Sequence, residues 1–321
     1  MKLSRRNFLQ LSIGLGACAS LSQLPKFNVS PVLAEEARKE LKVKKFTLKV
    51  GAKKPFSALH ISDTHISLAD ERDNERKRTL AKNREKYFGK SGAFFNASVE
   101  YAQERGQLLL HTGDFIDFVS EENLDFVEAG FKNAKCDYFC SSGNHEFSQY
   151  VGEAREDDAY KAQSFERVQK SYPNDLMFCS KEVNGINFVA FDDVYYYVAE
   201  NLIDLFQAEI DKGLPIIALC HVPFYAPDLF QFATKGQKGA CAYLMGAPDE
   251  LTSQYKPDRF QQQRTNETTA KFLEWFRKQK TIKAILCGHL HENFVGAYAD
   301  SIPQYVVGGN FRGDAFEFSF E

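Results

Sequence analysis

The chain has 321 residues, 44% of them apolar and 26% charged, with a formal net charge of -3. That size supports a large buried core, in one domain or two. Near-balanced charge, with no basic block and no acidic tail, gives no nucleic-acid signal and no solvated interaction arm.

The first 34 residues stand apart from the globular composition that follows. "SRRNFLQ" places Arg5 and Arg6 before an uncharged run from Phe8 to Leu24. That run is short and diluted by Gly, Ser and Gln, which argues against a stable membrane span. The segment resembles a twin-arginine (Tat) export signal, whose pattern is Ser/Thr-Arg-Arg-x-Phe-Leu. The resemblance implies the Tat export machinery as a partner, an extracytoplasmic and periplasmic location, and only transient membrane contact. Two processing points stay open. "VLAEE" has small residues ending at Ala34, followed by a charged spacer expected to be unstructured. "LGAC", ending at Cys18, resembles a lipoprotein box, which would leave Cys18 lipidated and the protein anchored. The expected organisation is a signal over residues 1–34 and a single domain over 35–321.

In chain order, "KKFTLKV" alternates apolar and charged residues, the pattern of a lead-in edge strand. "FSALHIS" follows as a buried strand running into "DTH". Residues 70–105 have a helical pattern, first highly charged and then amphipathic. The charged part, 70–88, predicts a solvated helix laced with i,i+4 pairs. "QLLLHTGD" is a strand, "EENLDFVEAGF" a short helix, and "DYFCSSGN" a further strand. A charged helix is expected over about 153–171. "FCSKEVNGINFVAFDD" predicts a hairpin around Asn-Gly. The helix "AENLIDLFQAEIDKG" and the buried strand "LPIIALCHVP" come next. Residues 225–262, rich in Gly, Pro and Gln, predict a long irregular insertion that shapes substrate choice. A helix at "TAKFLEWFRKQ", the strand of "TIKAILCGHLH" and a strand-rich end complete the chain. Strand-helix alternation followed by hairpins implies mixed sheets flanked by helices. Cys220 and Cys287, inside apolar strands, are expected as buried free thiols. Cys136 and Cys140 would share a strand face, too far apart to bridge.

Polar groups cluster where five of the apolar runs stop. They are Asp63 and His65 in "SDTH", Asp114 and Asp117 in "GDFID", Asn144 and His145 in "GNHE", His221 in "CHVP", and His289 and His291 in "GHLH". Sheet proteins place ligand sites at such strand ends. In an extended "GHLH", His289 and His291 point the same way, into one space. Singly, an Asp at a strand end caps or turns the chain, and a lone His packs. His60 and His111, within strands, read as structural. Tyr195 to Tyr197 read as a hairpin or helix start with half-exposed rings, with stacking on a substrate ring as the alternative, and Arg312 as a surface ion pair or a phosphate contact. Jointly, carboxylate, amide and imidazole donors suit Mn, Fe or Zn. With two such ions the site stays positive enough to hold a phosphate. Neither HExxH nor HxHxDH occurs, which disfavours other zinc hydrolases.

The ordered set resembles the calcineurin-like metallophosphoesterase superfamily, whose blocks are Asp-x-His, Gly-Asp-x-x-Asp, Gly-Asn-His-Asp/Glu, His and Gly-His-x-His. The resemblance implies a four-layer α-β-β-α sandwich of two mixed sheets flanked by helices, holding two divalent or trivalent metal ions. One ion would take Asp63, His65, Asp114 and His291. The other would take Asp114, Asn144, His221 and His289, so that Asp114 bridges. A hydroxide bridging both ions would attack the phosphorus of a small phosphoester. His145 would protonate the leaving oxygen, and Asp117 would orient His145 by accepting its other ring proton. Gly288 would let the chain turn where a side chain would crowd the metals. Purple acid phosphatases carry a Tyr at the position of Asp117, so a colourless site is expected. A catalytically silent binding scaffold, or a phosphodiesterase rather than a phosphomonoesterase, are the alternatives.

Overall fold

The computed structural model describes residues 31–153, 157–299 and 302–321. The twin-arginine segment and Cys18 lie outside the described residues. Helix α1 (Pro31–Glu40) comes first, where an unstructured spacer was expected after Ala34. Ala37 packs with Ala93, Phe94 and Ala97, and Arg38 reaches Glu100 and Glu104. Ala37, with Leu33 partly buried beside it, docks a helix whose remaining residues are mostly charged, and composition conceals that.

Strands β1 (Lys42–Leu48) and β2 (Phe56–Ile61) lead to helices α2 (Glu75–Phe88) and α3 (Ser91–Glu104). Then come β3 (Leu108–Thr112), α4 (Glu121–Asn133) and β4 (Tyr138–Ser141). Asn74 and Ser120 start α2 and α4 by accepting hydrogen bonds from Lys77 N and Asn123 N. Two short helices, α5 (Asp158–Ala162) and α6 (Phe165–Gln169), replace the single charged helix expected here. The break falls at Ser164, whose hydroxyl donates to the Phe147 carbonyl. The hairpin of β5 (Phe178–Val183) and β6 (Ile186–Phe191) turns on Asn184 and Gly185, at φ 48° and 83°. Two positive φ values match the mirror-image turn that twisted hairpins favour.

Helix α7 (Leu202–Ile210) and strand β7 (Ile216–Leu219) precede the expected irregular insertion. That stretch is partly helical instead, carrying α8 (Pro227–Thr234), α9 (Asp249–Thr252) and α10 (Pro257–Gln263). Pro227 and Pro257 each open a helix at a position where the missing N–H costs nothing. Prolines that suggested irregularity are helix starts. Helix α11 (Glu267–Phe276) and strands β8 (Ile282–Cys287), β9 (Phe294–Ala299), β10 (Ile302–Val306) and β11 (Asp314–Phe320) finish the chain.

The first sheet has the order β1-β11-β2-β3-β4 and the second β5-β6-β7-β8-β10-β9. Both are mixed: β2, β3 and β4 run parallel, as do β6, β7 and β8, whereas β11 pairs antiparallel with β2 and β9 with β10. Period-2 alternation assigns the layers. Leu108 and Leu110 face Phe188, Ala190, Ile217, Leu219 and Leu286 in the core between the sheets. Leu109, on the opposite face of β3, packs with Phe95, Val99 and Val127 of α3 and α4. Val189 and Phe191 face outward to Phe206 of α7 and to Phe272 and Phe276 of α11. Helices therefore cover the outer face of each sheet. The carboxyl ends of β2, β3 and β4 meet those of β7 and β8 at one edge, where all five polar blocks emerge.

Candidate metal centre

The loops after β2 and β3 are joined before any side chain is considered. Asp63 N donates to Gly113 O at 2.9 Å and His65 N to Asp114 O at 3.0 Å. The connection bends sharply. Asp63, His65, Asp114, His289 and His291 all have φ between 52° and 69°, the left-handed region that non-glycine residues rarely occupy and that gathers at functional sites.

Asp63, His65, Asp114 and His291 bring one ligating atom each within 4.8 Å of one another, and so do Asp114, His221 and His289. Asp114 belongs to both groups. His291 Nε2 lies 3.3 Å from Asp63 Oδ1 and 2.9 Å from His65 Nε2. His221 Nε2 lies 3.2 Å from Asp114 Oδ2 and 3.1 Å from His289 Nδ1. The opposite nitrogens are engaged: His221 Nδ1 with the Thr112 carbonyl and His289 Nε2 with the Tyr196 hydroxyl. Such outer contacts fix which ring nitrogen turns inward.

Burial alone would push the His221 imidazole down, but Asp114 and Asp63 outweigh it and raise it to about 10. Asp63 moves the other way. Burial would raise it, yet His291 and His221 hold it below the usual carboxylate range. Asp63 and Asp114 are thus held as carboxylates, while burial lowers His289 to about 3 and His65 below its ordinary value, favouring their neutral rings. Asn144 lines the same cavity as Asp114 and His289, and its Oδ1 is buried with no hydrogen-bond partner among the described residues. A sealed, unbonded amide oxygen is costly unless something cationic or hydrogen-bonding meets it. Hard oxygens mixed with imidazoles, plus one orphaned acceptor, fit a pair of Mn, Fe or Zn ions.

His145 stands beside these groups, its backbone N donating to Asp114 Oδ1 at 2.9 Å. Its Nδ1 donates to the Asp117 backbone carbonyl at 2.7 Å, while the Asp117 carboxylate is 3.5 Å away. The acceptor that Asp117 offers His145 is its backbone carbonyl, not its carboxylate. The Asp117 carboxylate instead accepts from His65 Nδ1 at 3.2 Å and from Arg84. Burial would raise it, but His65 and Arg84 hold it well below its usual range. For His145, burial lowers the ring and Asp114 and Asp117 more than offset that, leaving it above its ordinary value.

Several supports were not foreseen. Glu146, fully buried, accepts from Asp114 N at 2.8 Å, Phe115 N at 2.7 Å, Gly143 N at 2.6 Å and the Tyr172 hydroxyl at 2.8 Å. Asp193 accepts from His221 N at 2.9 Å and Val222 N at 3.0 Å, and burial, partly offset by His221, raises it to about 7. Tyr195 and Tyr196 are buried in a tight turn at φ 68° and 67°, which corrects the half-exposed expectation. Gly288 is needed for a different reason from the expected one: a Cβ there would strike Ser62 Oγ and Asp63 Oδ2. His60 and His111 are structural as expected, each meeting a threonine hydroxyl at 2.8 Å. Arg312 pairs with Asp314 at 2.8 Å. All cysteines among the described residues are free thiols.

The site floors a cavity of about 940 Å³ whose walls include Tyr196, Phe232, Tyr243 and Arg259. Two sheets that converge on paired Asp-His clusters beside a histidine define a metal-dependent phosphoesterase class. The family model for calcineurin-like phosphoesterases matches residues 56–293, and the chain belongs to that family. No curated protein matches the chain in sequence. Among solved structures, it is similar to a dimetal phosphatase from Danio rerio, at 15% identity and a TM-score of 0.48, over 80% of this chain and 88% of that one. It is also similar to the phosphopantetheinyl hydrolase of Mycobacterium tuberculosis, at 13% identity and a TM-score of 0.41, over 80% and 90%. A 5'-nucleotidase from Candida albicans matches at 15% identity and a TM-score of 0.42, over 84% of this chain and 48% of that one.

Proposed function

We propose that this chain is an exported dimetal phosphoesterase acting on a small phosphoester. Asp63, His65, Asp114 and His291 hold one ion, and Asp114, Asn144, His221 and His289 hold the other. The observation that carries this reading is Asp114, shared by two converging donor groups; the orphaned Asn144 oxygen supports it as a further donor. Two such ions supply Lewis-acid charge to phosphoryl oxygens and acidify a water, to a pKa of about 7 in favourable zinc sites.

The protein's own groups do the rest. His145 Nδ1 donates to the Asp117 carbonyl, so the proton that passes to the leaving oxygen is the second one, carried on Nε2 of the imidazolium form that Asp114 and Asp117 favour. Glu146 holds the loop after β3, so Asp114 does not drift when the ester binds. Tyr196 and the Thr112 carbonyl keep His289 and His221 in the tautomers that ligation needs. The cavity has room for the ester's alcohol portion.

Metal analysis of the purified protein, followed by mono- and diester substrates under Mn, Fe and Zn, tests the reading. Two ions per chain and metal-dependent turnover are expected. His145→Ala should lose about 10²–10⁴-fold with alkyl esters, and less with p-nitrophenyl esters, whose leaving group needs no proton. A protein that binds two ions yet turns over neither ester class overturns it in favour of a silent scaffold. Export rests on the Arg5-Arg6 pattern. A reporter fused behind residues 1–34 should leave the cytoplasm only in cells with a working twin-arginine route.

A further inference from the structure

This inference rests on the metal reading above and concerns a residue outside all five sequence blocks. Helix α2 presents Arg84 and Phe88 on one face, four residues apart. Arg84 Nε and Nη2 donate to the two oxygens of Asp117 at 2.6 and 2.8 Å. The carboxylate is fully buried, whereas the Arg84 side chain is 22% exposed. The same carboxylate accepts from His65 Nδ1 at 3.2 Å. Phe88 stacks on the His65 ring at 4.8 Å with 16° between planes, and the Arg84 guanidinium lies 4.7 Å from the Phe88 centroid. One turn of α2 thus grips His65 by its edge, through Asp117, and by its face.

We propose that Arg84 is a positioning residue for the first metal, locking Asp117 as the acceptor of the His65 Nδ1 proton. His65 then presents its Nε2 lone pair towards Asp63, Asp114 and His291. A fully buried carboxylate needs a nearby cation, and a planar guanidinium supplies one in a fork that fixes both oxygens. Without that fork, Asp117 Oδ1 can turn to His145 Nδ1, only 3.5 Å away, and His65 loses its anchor. Most of α2 is solvated, as expected, but Lys77 and Phe88 are buried, Lys77 with its ammonium on the Val119 carbonyl, so one face of the helix is packed against the loops of the site.

The test is a zinc titration of the full chain followed on 15N-labelled imidazoles. His65 and His291 report the first metal, and His221 and His289 the second. In the wild type both sets should shift, with His65 protonated at Nδ1. Arg84→Gln should weaken zinc at the first set by about 10–100-fold, leave the second within about twofold, and abolish the His65 Nδ1 proton signal. Arg84→Lys, which keeps the charge and loses the fork, should fall between. Arg76→Gln on the same helix should match the wild type. Unchanged first-set affinity and an intact Nδ1 signal in Arg84→Gln overturn the proposal. If that variant does not fold, the same result in Arg84→Lys overturns it. A wild type in which neither set shifts overturns the metal reading itself, a separate outcome.

Discussion

Asn144 holds a side-chain oxygen that is shut away from water and bonded to nothing among the described residues. An acceptor left in that condition destabilises the fold unless a bound group uses it. Replacing it therefore separates folding from ligation. In Asn144→Ala the metal-free protein should be as stable as the wild type, or slightly more so, while the second ion binds at least about tenfold more weakly. Thermal melts with and without zinc check both halves. An unchanged zinc-induced rise in Tm would mean that Asn144 touches no ion. The nine residues of the candidate site were legible in the sequence because each sits directly after an apolar strand, in a short block whose spacing survives folding. Arg84, Asp193 and Tyr196 were not. Each acts on a partner more than 25 residues away, Arg84 on Asp117, Asp193 on His221 and Tyr196 on His289, and long-range pairing leaves no local pattern.

The loops that carry these residues are held as units. The β3 loop has three N–H groups, on Asp114, Phe115 and Ile116, that no strand ladder satisfies, and Glu146 from the β4 loop accepts from all three. Gly143 lies so close that a Cβ would overlap Asp114 N and Oδ1. Glu146→Gln turns an acceptor towards those donors into an amide that carries its own N–H groups. It should cost about 2–4 kcal/mol, by urea denaturation without metal, because buried donors lose a charged partner. A change below about 0.5 kcal/mol would show that water or backbone movement replaces the brace. The same physics explains where sequence reading went astray among the elements. The hairpin at Asn184-Gly185 follows from local dihedral preference alone. Helix α1 and the helices within 225–262 depend on what they dock against. Proline at a helix start and proline in a loop look the same until the partner surface is known.

Across the molecule, two buried histidines tie stability to acidity. Burial lowers His60 and His111 from 6.5 to about 3, with repulsion from His111 adding to it at His60 and from His221 and His65 at His111. Unfolded chains take up these protons below about pH 6.5, and the folded protein takes them up only near pH 3. Stability should therefore fall as pH drops through that window, by about 2 kcal/mol per histidine between pH 7 and pH 5. Urea midpoints measured with chelator present, to remove metal effects, should show a shallower pH dependence in His60→Leu. An equal slope in both proteins would place the acid sensitivity elsewhere.

The donor groups also come from both halves of the sandwich. Asp63, His65, Asp114 and Asn144 follow strands of the first sheet, whereas His221, His289 and His291 follow strands of the second. Each proposed ion consequently joins the two sheets at the edge where their apolar core ends. An ion that binds only the folded chain stabilises it by about 2.7 kcal/mol at a hundredfold excess over its Kd. For a protein of this size two ions should raise the Tm by about 8–9 °C at that excess. Chelation should reverse that rise, and hydrogen exchange should quicken first at the carboxyl ends of β7 and β8, not at the distant Asn184-Gly185 hairpin. That spatial pattern matters more than the size of the shift, because loosely bound surface ions also alter melting. If chelation moves the Tm while exchange at β7 and β8 stays as slow as before, the ions are not joining the sheets there.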